Sequence, residues 1–471
     1  MAEQRGDYSH IISWINKQGF TPDTRMQAAV SAYWGWLVAE NGWYSYSERK
    51  GFRVYKRHRE SLRPADLVAN EWASLVMQES TIITSSDQKR ADAIAEAFGG
   101  FAVDEADNIA RGFALGTLAW VNEPNSVTAD AVTPDARIDV RAYDATQIIP
   151  LTFSDNDCTQ AAFVGRVEYG GHDYDQCQMH VLAGGTYHIR TQLFDVRTHR
   201  PASVEGILPD LDTGSAAPTF ALFRVPRPNY HCRASAMGAS VFDSAVGAIK
   251  GVDEAYTSYL DHLRVGKPKM FVDSSMIERK SERGEDGSLT KSYYAFGEAG
   301  DTVFKLRKGE AGKQIEVVQP ELRVDENTMA VNRALGLLSL RCGFGVGYFS
   351  WDSHAGLKTA TEVQSDNSML ARNLKKNQNA MRKAIVRLVE GNLALRRAIR
   401  GEAIPDGDVV VTFDDGIITD TQADKAQMMA EIAAGIAQPW EFRVRFYGET
   451  EEDARAATAG PDAFDAVGFG E

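Results

Sequence analysis

The sequence is poor in cysteine: four thiols (Cys158, Cys177, Cys232 and Cys342) among 471 residues, with no CxxC pair. That excludes a disulfide framework and a thiolate zinc ribbon, and predicts reduced, partly buried thiols. No stretch approaches 18 unbroken apolar residues, so no transmembrane helix is expected. Met1 to Asp7 lacks the apolar core of a signal peptide. GxxxxGK[ST], HExxH and GxSxG are all missing, which removes a Walker-type phosphate cradle, a zincin helix and a nucleophile elbow. Gly343-Phe344-Gly345-Val346-Gly347 has a superficial likeness to a dinucleotide loop. It follows a helical pattern rather than a strand, however, and lacks the third glycine at its proper spacing. The nine histidines are scattered. No catalytic residue, cofactor site or metal site is therefore expected, and the chain reads as a non-enzyme.

Positive charge is also in deficit, with 51 Lys+Arg against 65 Asp+Glu and a net charge of −14. Such a balance argues against a surface that grips DNA or anionic lipid over its whole extent. The deficit is uneven: residues 1–357 carry −9, Lys358 to Arg400 carries +7, and residues 401–471 carry −12. Composition is otherwise that of an ordinary folded chain, 44% hydrophobic and 25% charged.

What is present is a succession of periods. The first 120 residues read as helical: Gln27 to Val38, a segment after Pro64 with Leu67, Trp72 and Val76 on one face, Gln88 to Phe98 stopped by Gly99-Gly100, and about Asp104 to Phe113. Strand patterns follow at Thr117–Val121, Arg137–Arg141, Gln160–Val167, Gln178–Leu182 and Tyr187–Thr191, with Gly170-Gly171 and Gly184-Gly185 as turns. The region to about Pro228 is thus an α+β unit with an antiparallel sheet.

A long amphipathic helix is predicted over Ser240 to Val265, with Ile249, Val252, Tyr256, Tyr259, Leu260 and Leu263 in its stripe and Asp243, Lys250, Asp253 and Glu254 mostly off it. Residues 267–319 form a small strand-rich insert around a charged, turn-rich stretch, Glu278 to Ser288. A second helix, Val324 to Arg341, closes it at Gly343. A Gly- and aromatic-rich loop then leads to a helical pattern from Thr359 to about Ile399, with a Thr359/Glu362 capping box and Gly391 as a possible kink. Arg372, Lys375, Lys376, Arg382, Lys383 and Arg387 on this helix suit phosphate contacts, but a solvated or intersubunit face explains them more simply. A strand at Val409–Phe413, an Ala/Met-rich helix and a polar tail complete the chain.

The order of these elements resembles the portal proteins (head-to-tail connectors) of tailed double-stranded DNA bacteriophages, the siphophage type most nearly. The stretches that carry the resemblance are Asn229 to Leu263, with Gly238-Ala239-Ser240-Val241-Phe242 and Val252-Asp253; Pro320-Glu321-Leu322-Arg323; Leu357 to Val363; and Gly435-Ile436-Ala437-Gln438 through Phe446 to Ala454. It spans about residues 20 to 457. Each motif is loose alone, and their order is more specific.

The resemblance implies an α+β subunit with a wing at 1–235, stem helices at 236–266 and 320–343 bracketing a clip at 267–319, and a tunnel loop at 344–357. It further implies a long wing/crown helix at 358–400 and an acidic wing/crown region at 401–471. It implies a homo-oligomeric ring, usually of twelve subunits, at one capsid vertex of the virion, assembled in the host cytoplasm without membrane. Double-stranded DNA passes through that ring on packaging and ejection. The implied partners are terminase, head-tail adaptor or connector proteins, and the major capsid and scaffolding proteins. By position, Val346, Tyr348, Trp351, His354 and Lys358 fall at the DNA channel, and Arg279, Lys280, Arg283 and Lys291 on the docking clip. Two alternatives stand beside this reading. Another virion ring or adaptor protein is usually much shorter and lacks the stem-clip-stem order. An enzyme with an unrecognised site predicts a polar pocket and turnover.

Overall fold

The computed structural model describes residues 8–50, 52–78, 80–124, 127–128, 131–132, 136–154, 157–204, 206–267, 269–273, 278–283, 289–295, 303–306, 315–319, 321–351, 360–413, 428–432, 437–447, 454–455 and 458. In chain order the elements are α1 (Ser9–Lys17), α2 (Gln27–Leu37), β1 (Ser45–Lys50), β2 (Arg53–His58), α3 (Pro64–Val76), β3 (Ile82–Thr84), α4 (Gln88–Phe98), α5 (Phe101–Asp104), α6 (Ala106–Leu115), β4 (Thr117–Pro124), β5 (Val127–Thr128), β6 (Ala131–Val132) and β7 (Ile138–Asp144). Then come β8 (Ile148–Ser154), β9 (Asp157–Tyr169), β10 (His172–Ala183), β11 (Thr186–Asp195), β12 (Pro201–Ala202), β13 (Asp210–Asp212), β14 (Phe220–Arg224) and α7 (Val246–Val265). The last are β15 (Lys269–Asp273), β16 (Glu278–Arg283), β17 (Leu289–Ala295), β18 (Val303–Leu306), β19 (Ile315–Val318), α8 (Val324–Cys342), α9 (Ala360–Arg400), β20 (Val410–Thr412) and α10 (Pro439–Tyr447). The fold is mixed α and β, and among the described residues no helix is long and apolar enough to cross a membrane.

Two compact units divide the chain: Met1–Leu75 with Glu105–Ala403, and Val76–Asp104 with Ile404–Glu471. In the first, β8 to β12 form an antiparallel sheet with β13 added on β11. Alternation sends Ala162, Val164, Cys177, Met179 and Val181 to one face, where Ile11 and Ile15 of α1 cover them, four residues apart on one helical stripe. The opposite face carries Phe163 and His180, which meet Phe220 of a three-stranded sheet, β14-β4-β7. Both faces of the large sheet are therefore buried.

The motif at Gly238-Ala239-Ser240 has a steric cause. Gly116 ends α6 in the left-handed region (φ 87°), and a Cβ there would lie 2.6 Å from the Gly238 carbonyl. The two strand-like segments touch backbone to backbone, fixed by Gly238 N donating to Thr117 Oγ1 (2.8 Å) and Val241 N to Phe113 O (3.0 Å). From this anchor a single 3₁₀ turn, Asp243–Ala245, leads into α7, so the regular helix starts six residues later than the sequence pattern suggests. α7 packs along α8.

Three other expectations are corrected, and the glycine of α9 gains a reason. The first 120 residues are not all helical: β1 and β2 pair as an antiparallel hairpin, Ser45 opposite His58, with Phe52 at its fully exposed tip. Its strands, Ser45–Lys50 and Arg53–His58, are mostly polar and charged with no apolar alternation, which hides them from a hydrophobic pattern. The stretch beginning at Glu278 is not wholly turn, because Glu278–Arg283 finds a partner strand in Leu289–Ala295. Helix α9 runs unbroken through Gly391, where a Cβ would lie 2.3 Å from the Pro218 carbonyl, so the glycine permits a close approach. Asp253, grouped with the polar face of α7, is fully buried. The capping pair Thr359/Glu362 lies outside the residues whose side chains are described.

The second unit contains the short antiparallel pair β3-β20 beside α4. Asp87 caps α4 by accepting from Arg90 N (2.9 Å), while the buried Arg90 side chain donates to the carbonyls of Pro405 (3.1 Å) and Asp408 (3.2 Å). Met428, Ile432 and Phe442 form a small separate core with α10.

Candidate functional site

The region read as a tunnel loop begins where α8 stops. Gly343 closes that helix with a left-handed φ of 93°, and Gly345 (103°) and Gly347 (81°) repeat the conformation. Three such residues in five turn the chain back over the helix it has just left, a path that L-residues with a Cβ resist. The first turn is anchored by Phe344 N to Ser339 O (3.0 Å), Asn373 Nδ2 to Gly343 O (2.9 Å) and Trp72 Nε1 to Cys342 O (3.1 Å).

An aromatic column follows from this backbone path. Buried Phe344 stacks on Trp72 (4.6 Å between ring centres), and Tyr348 stacks on Phe344 from the other side (4.8 Å). Phe349 closes edge-on to both Phe344 (5.0 Å) and Tyr348 (5.3 Å), its backbone N–H given to Ser339 Oγ (3.0 Å). The Tyr348 hydroxyl donates to Glu71, and burial with that carboxylate drives the phenol pKa up, so the hydroxyl stays protonated. The Trp351 ring lies 5.8 Å from those of both Tyr256 and Tyr259 of α7, and its backbone N–H donates to Asn332 Oδ1 (2.7 Å). The loop is thus tied to α3, α7, α8 and α9 at once.

Of the five residues assigned to a channel, Val346 (57% exposed), Tyr348 (38%) and Trp351 (46%) share this ledge and keep part of their surface open. His354 and Lys358 lie outside the described residues. The four docking candidates come together on one hairpin: Arg279 opposite Tyr294, Lys280 opposite Tyr293, Lys291 opposite Glu282, and Arg283 opposite Leu289. A neighbouring three-stranded sheet has β15 at its centre, parallel to β18 and antiparallel to β19.

The basic stretch of α9 divides in two. Arg372, Lys375, Lys376 and Lys383 are exposed and half-buried Arg382 donates to Asn379 Oδ1 (2.7 Å), whereas Arg387 is turned inward to Asp157 and donates to the Cys158 carbonyl (2.8 Å). Sequence reasoning missed the residues that hold the loop: Glu71, Trp72, Asn332, Ser339 and Asn373. Only Trp72 and the Tyr256/Tyr259 pair carried a signal, as stripe positions of helices, and none of the three was tied to the loop. The buried thiols offer little chemistry, since burial pushes Cys158 and Cys342 up to about 12, far from thiolate formation at neutral pH.

A family model described as "Phage portal protein, SPP1 Gp6-like" matches residues 195–439. No curated protein matches the chain. Among solved structures, one titled "Neck of native GTA particle computed with C12 symmetry" is similar over 92% of this chain and 98% of that one, at 11% identity and a TM-score of 0.42.

Proposed function

The chain belongs to the SPP1 Gp6-like phage portal family, and from that membership we propose that it closes into a ring, of twelve subunits, through which double-stranded DNA is packaged and ejected. Its role is that of a structural portal or connector component of a phage-type virion. The finer reading adds that residues 236–266 and 320–343 are stem helices, 267–319 the clip facing terminase and later head-tail connector proteins, and 344–357 the loop at the narrow point of the channel.

One observation carries the ring. Helix α8 buries Val331, Leu335 and Leu338 within the subunit, yet leaves Met329 (51%), Leu337 (52%) and Leu340 (40%) exposed on a second stripe. A soluble monomer gains nothing from such a stripe, and a neighbouring subunit repeated around an axis covers it. Charge agrees with a conduit. Each phosphate contact adds a salt-dependent affinity term, so a channel that lets DNA slide must avoid many of them, and a subunit of net −14 does so. The exposed edges of Val346, Tyr348 and Trp351 then touch DNA mechanically, without reading bases.

Electron microscopy of the purified chain tests the assembly: a ring with an axial hole wide enough for a duplex is expected, and a compact monomer with no tendency to assemble would overturn it. Deleting Tyr348 to Ser353 tests the loop. Rings should persist while DNA packaging or retention fails, and normal packaging by that variant would remove the assigned role.

A further inference from the structure

The sequence offers no metal motif, because the residues that matter are 165 and 24 positions apart. They meet on the α1-covered face of the large sheet. Asp175 of β10 is 3% exposed, a carboxylate placed between Arg166 of β9 and Phe194 of β11, its direct cross-strand neighbours. Its two oxygens are divided: Oδ1 faces Arg166 Nη2 at 3.4 Å, and Oδ2 faces His10 Nε2 at 3.7 Å. His10 stands in the first turn of α1 with its ring edge-on to Phe194 (5.0 Å) and 4.5 Å from the ring of His199. His199 ends the β11–β12 turn in the left-handed region (φ 54°). Asp195 builds that turn by accepting from Thr198 N (2.7 Å) and Thr198 Oγ1 (2.8 Å).

We propose that His10, Asp175 and His199 form a binding site for one divalent transition-metal ion of the zinc type, clamping α1 to the sheet. One ligand atom from each residue lies within 4.8 Å of the others. Bonds of about 2.0–2.2 Å from nitrogen and carboxylate oxygen to zinc span the 3.7 Å between His10 and Asp175 at an angle of roughly 115–135°, so a shift of a few tenths of an ångström brings the pair to tetrahedral geometry. A rotation of the exposed His199 ring brings the third donor in and leaves the solvent side for a water as fourth ligand. Two imidazoles and one carboxylate select zinc, cobalt or nickel over calcium and magnesium, which prefer all-oxygen sets. Arg166 acts on the carboxylate from outside the coordination sphere and keeps Oδ2 aimed at His10. The ion closes a loop of more than 160 residues, so its effect is on the anchoring of α1 rather than on any reaction.

The test uses the full chain, stripped with a chelator and titrated with zinc chloride in the presence of millimolar magnesium. One zinc per chain at micromolar affinity or tighter is expected, with a rise of several degrees in the unfolding midpoint. His10→Ala and His199→Ala should each weaken binding at least tenfold. His188→Ala, which alters the separate pair His188–Asp210 (2.9 Å), should leave it unchanged. Because a variant can lose binding by misfolding, cobalt(II) is added to the unmodified chain, where intense visible absorption of a four-coordinate nitrogen/oxygen set is expected. Absence of stoichiometric zinc, equal binding by His199→Ala, or a cobalt spectrum no different from the hydrated ion would each overturn the site.

Discussion

At the scale of single residues, His180 shows how a polar group is used within the core. It is fully buried between the sheets, its Nδ1 2.6 Å from Thr219 Oγ1 and its ring edge-on to Phe163 (5.2 Å) and Phe220 (6.0 Å). Desolvation pushes its pKa down from 6.5 to about 3. A depressed folded pKa means that the unfolded chain takes the proton first. The stability this neutral imidazole contributes is present above pH 6.5 and is lost as pH falls below it. At about 1.4 kcal/mol per pH unit, roughly 2 kcal/mol is gone by pH 5. Urea unfolding at pH 7 and pH 5 should therefore show a loss that shrinks by about that amount in His180→Gln. An equal acid sensitivity in the variant would place the titrating group elsewhere.

At the scale of elements, α7 is held to the N-terminal region by a carboxylate. Asp253 accepts from Tyr44 Oη (2.7 Å), Ser61 Oγ (2.9 Å) and Leu62 N (2.9 Å), bonding the chain on both sides of the β1–β2 hairpin. Removing the acceptor leaves three donors without their partner, and a buried donor left unmade costs about 1–3 kcal/mol. Asp253→Ala should thus destabilise the subunit by roughly 3 kcal/mol. It should also speed amide exchange across residues 45–62 while exchange in β9 and β10 stays slow; uniform acceleration would count against a local clamp. The sequence made α7, α8 and α9 legible because their apolar spacing of three and four is local. Asp253 was misplaced for the complementary reason: what buries it comes from about 200 residues earlier. Trp351 beside Tyr256 and Tyr259, and Gly391 against Pro218, were equally invisible, since each depends on a contact distant in sequence. The β1–β2 hairpin escaped because its strands are mostly polar and charged and β2 is exposed along its whole length, so neither shows an apolar alternation.

At the scale of the whole molecule, two apolar stripes on one helix carry different loads, and substitutions separate them. Leu338 is fully buried beside Val331 and Leu335, so Leu338→Ala removes core volume from the subunit itself and should cost about 2–5 kcal/mol of its stability. Leu337 and Leu340 point away from that core, and in an isolated subunit their replacement touches little. Each is already about half covered, so burying the rest in a ring is worth on the order of 1 kcal/mol per side chain, repeated at every interface. Glutamate at both positions would bring unpaired charge into that contact, a cost that exceeds the gain from burial. The double variant Leu337→Glu, Leu340→Glu should therefore keep the circular dichroism and unfolding midpoint of the normal subunit while its native mass falls to that of a monomer. Leu338→Ala should show the reverse, a lowered midpoint with assembly retained at low temperature. If the glutamate variant still forms rings, the exposed stripe of α8 is not what joins the subunits, and the contact must lie on another face.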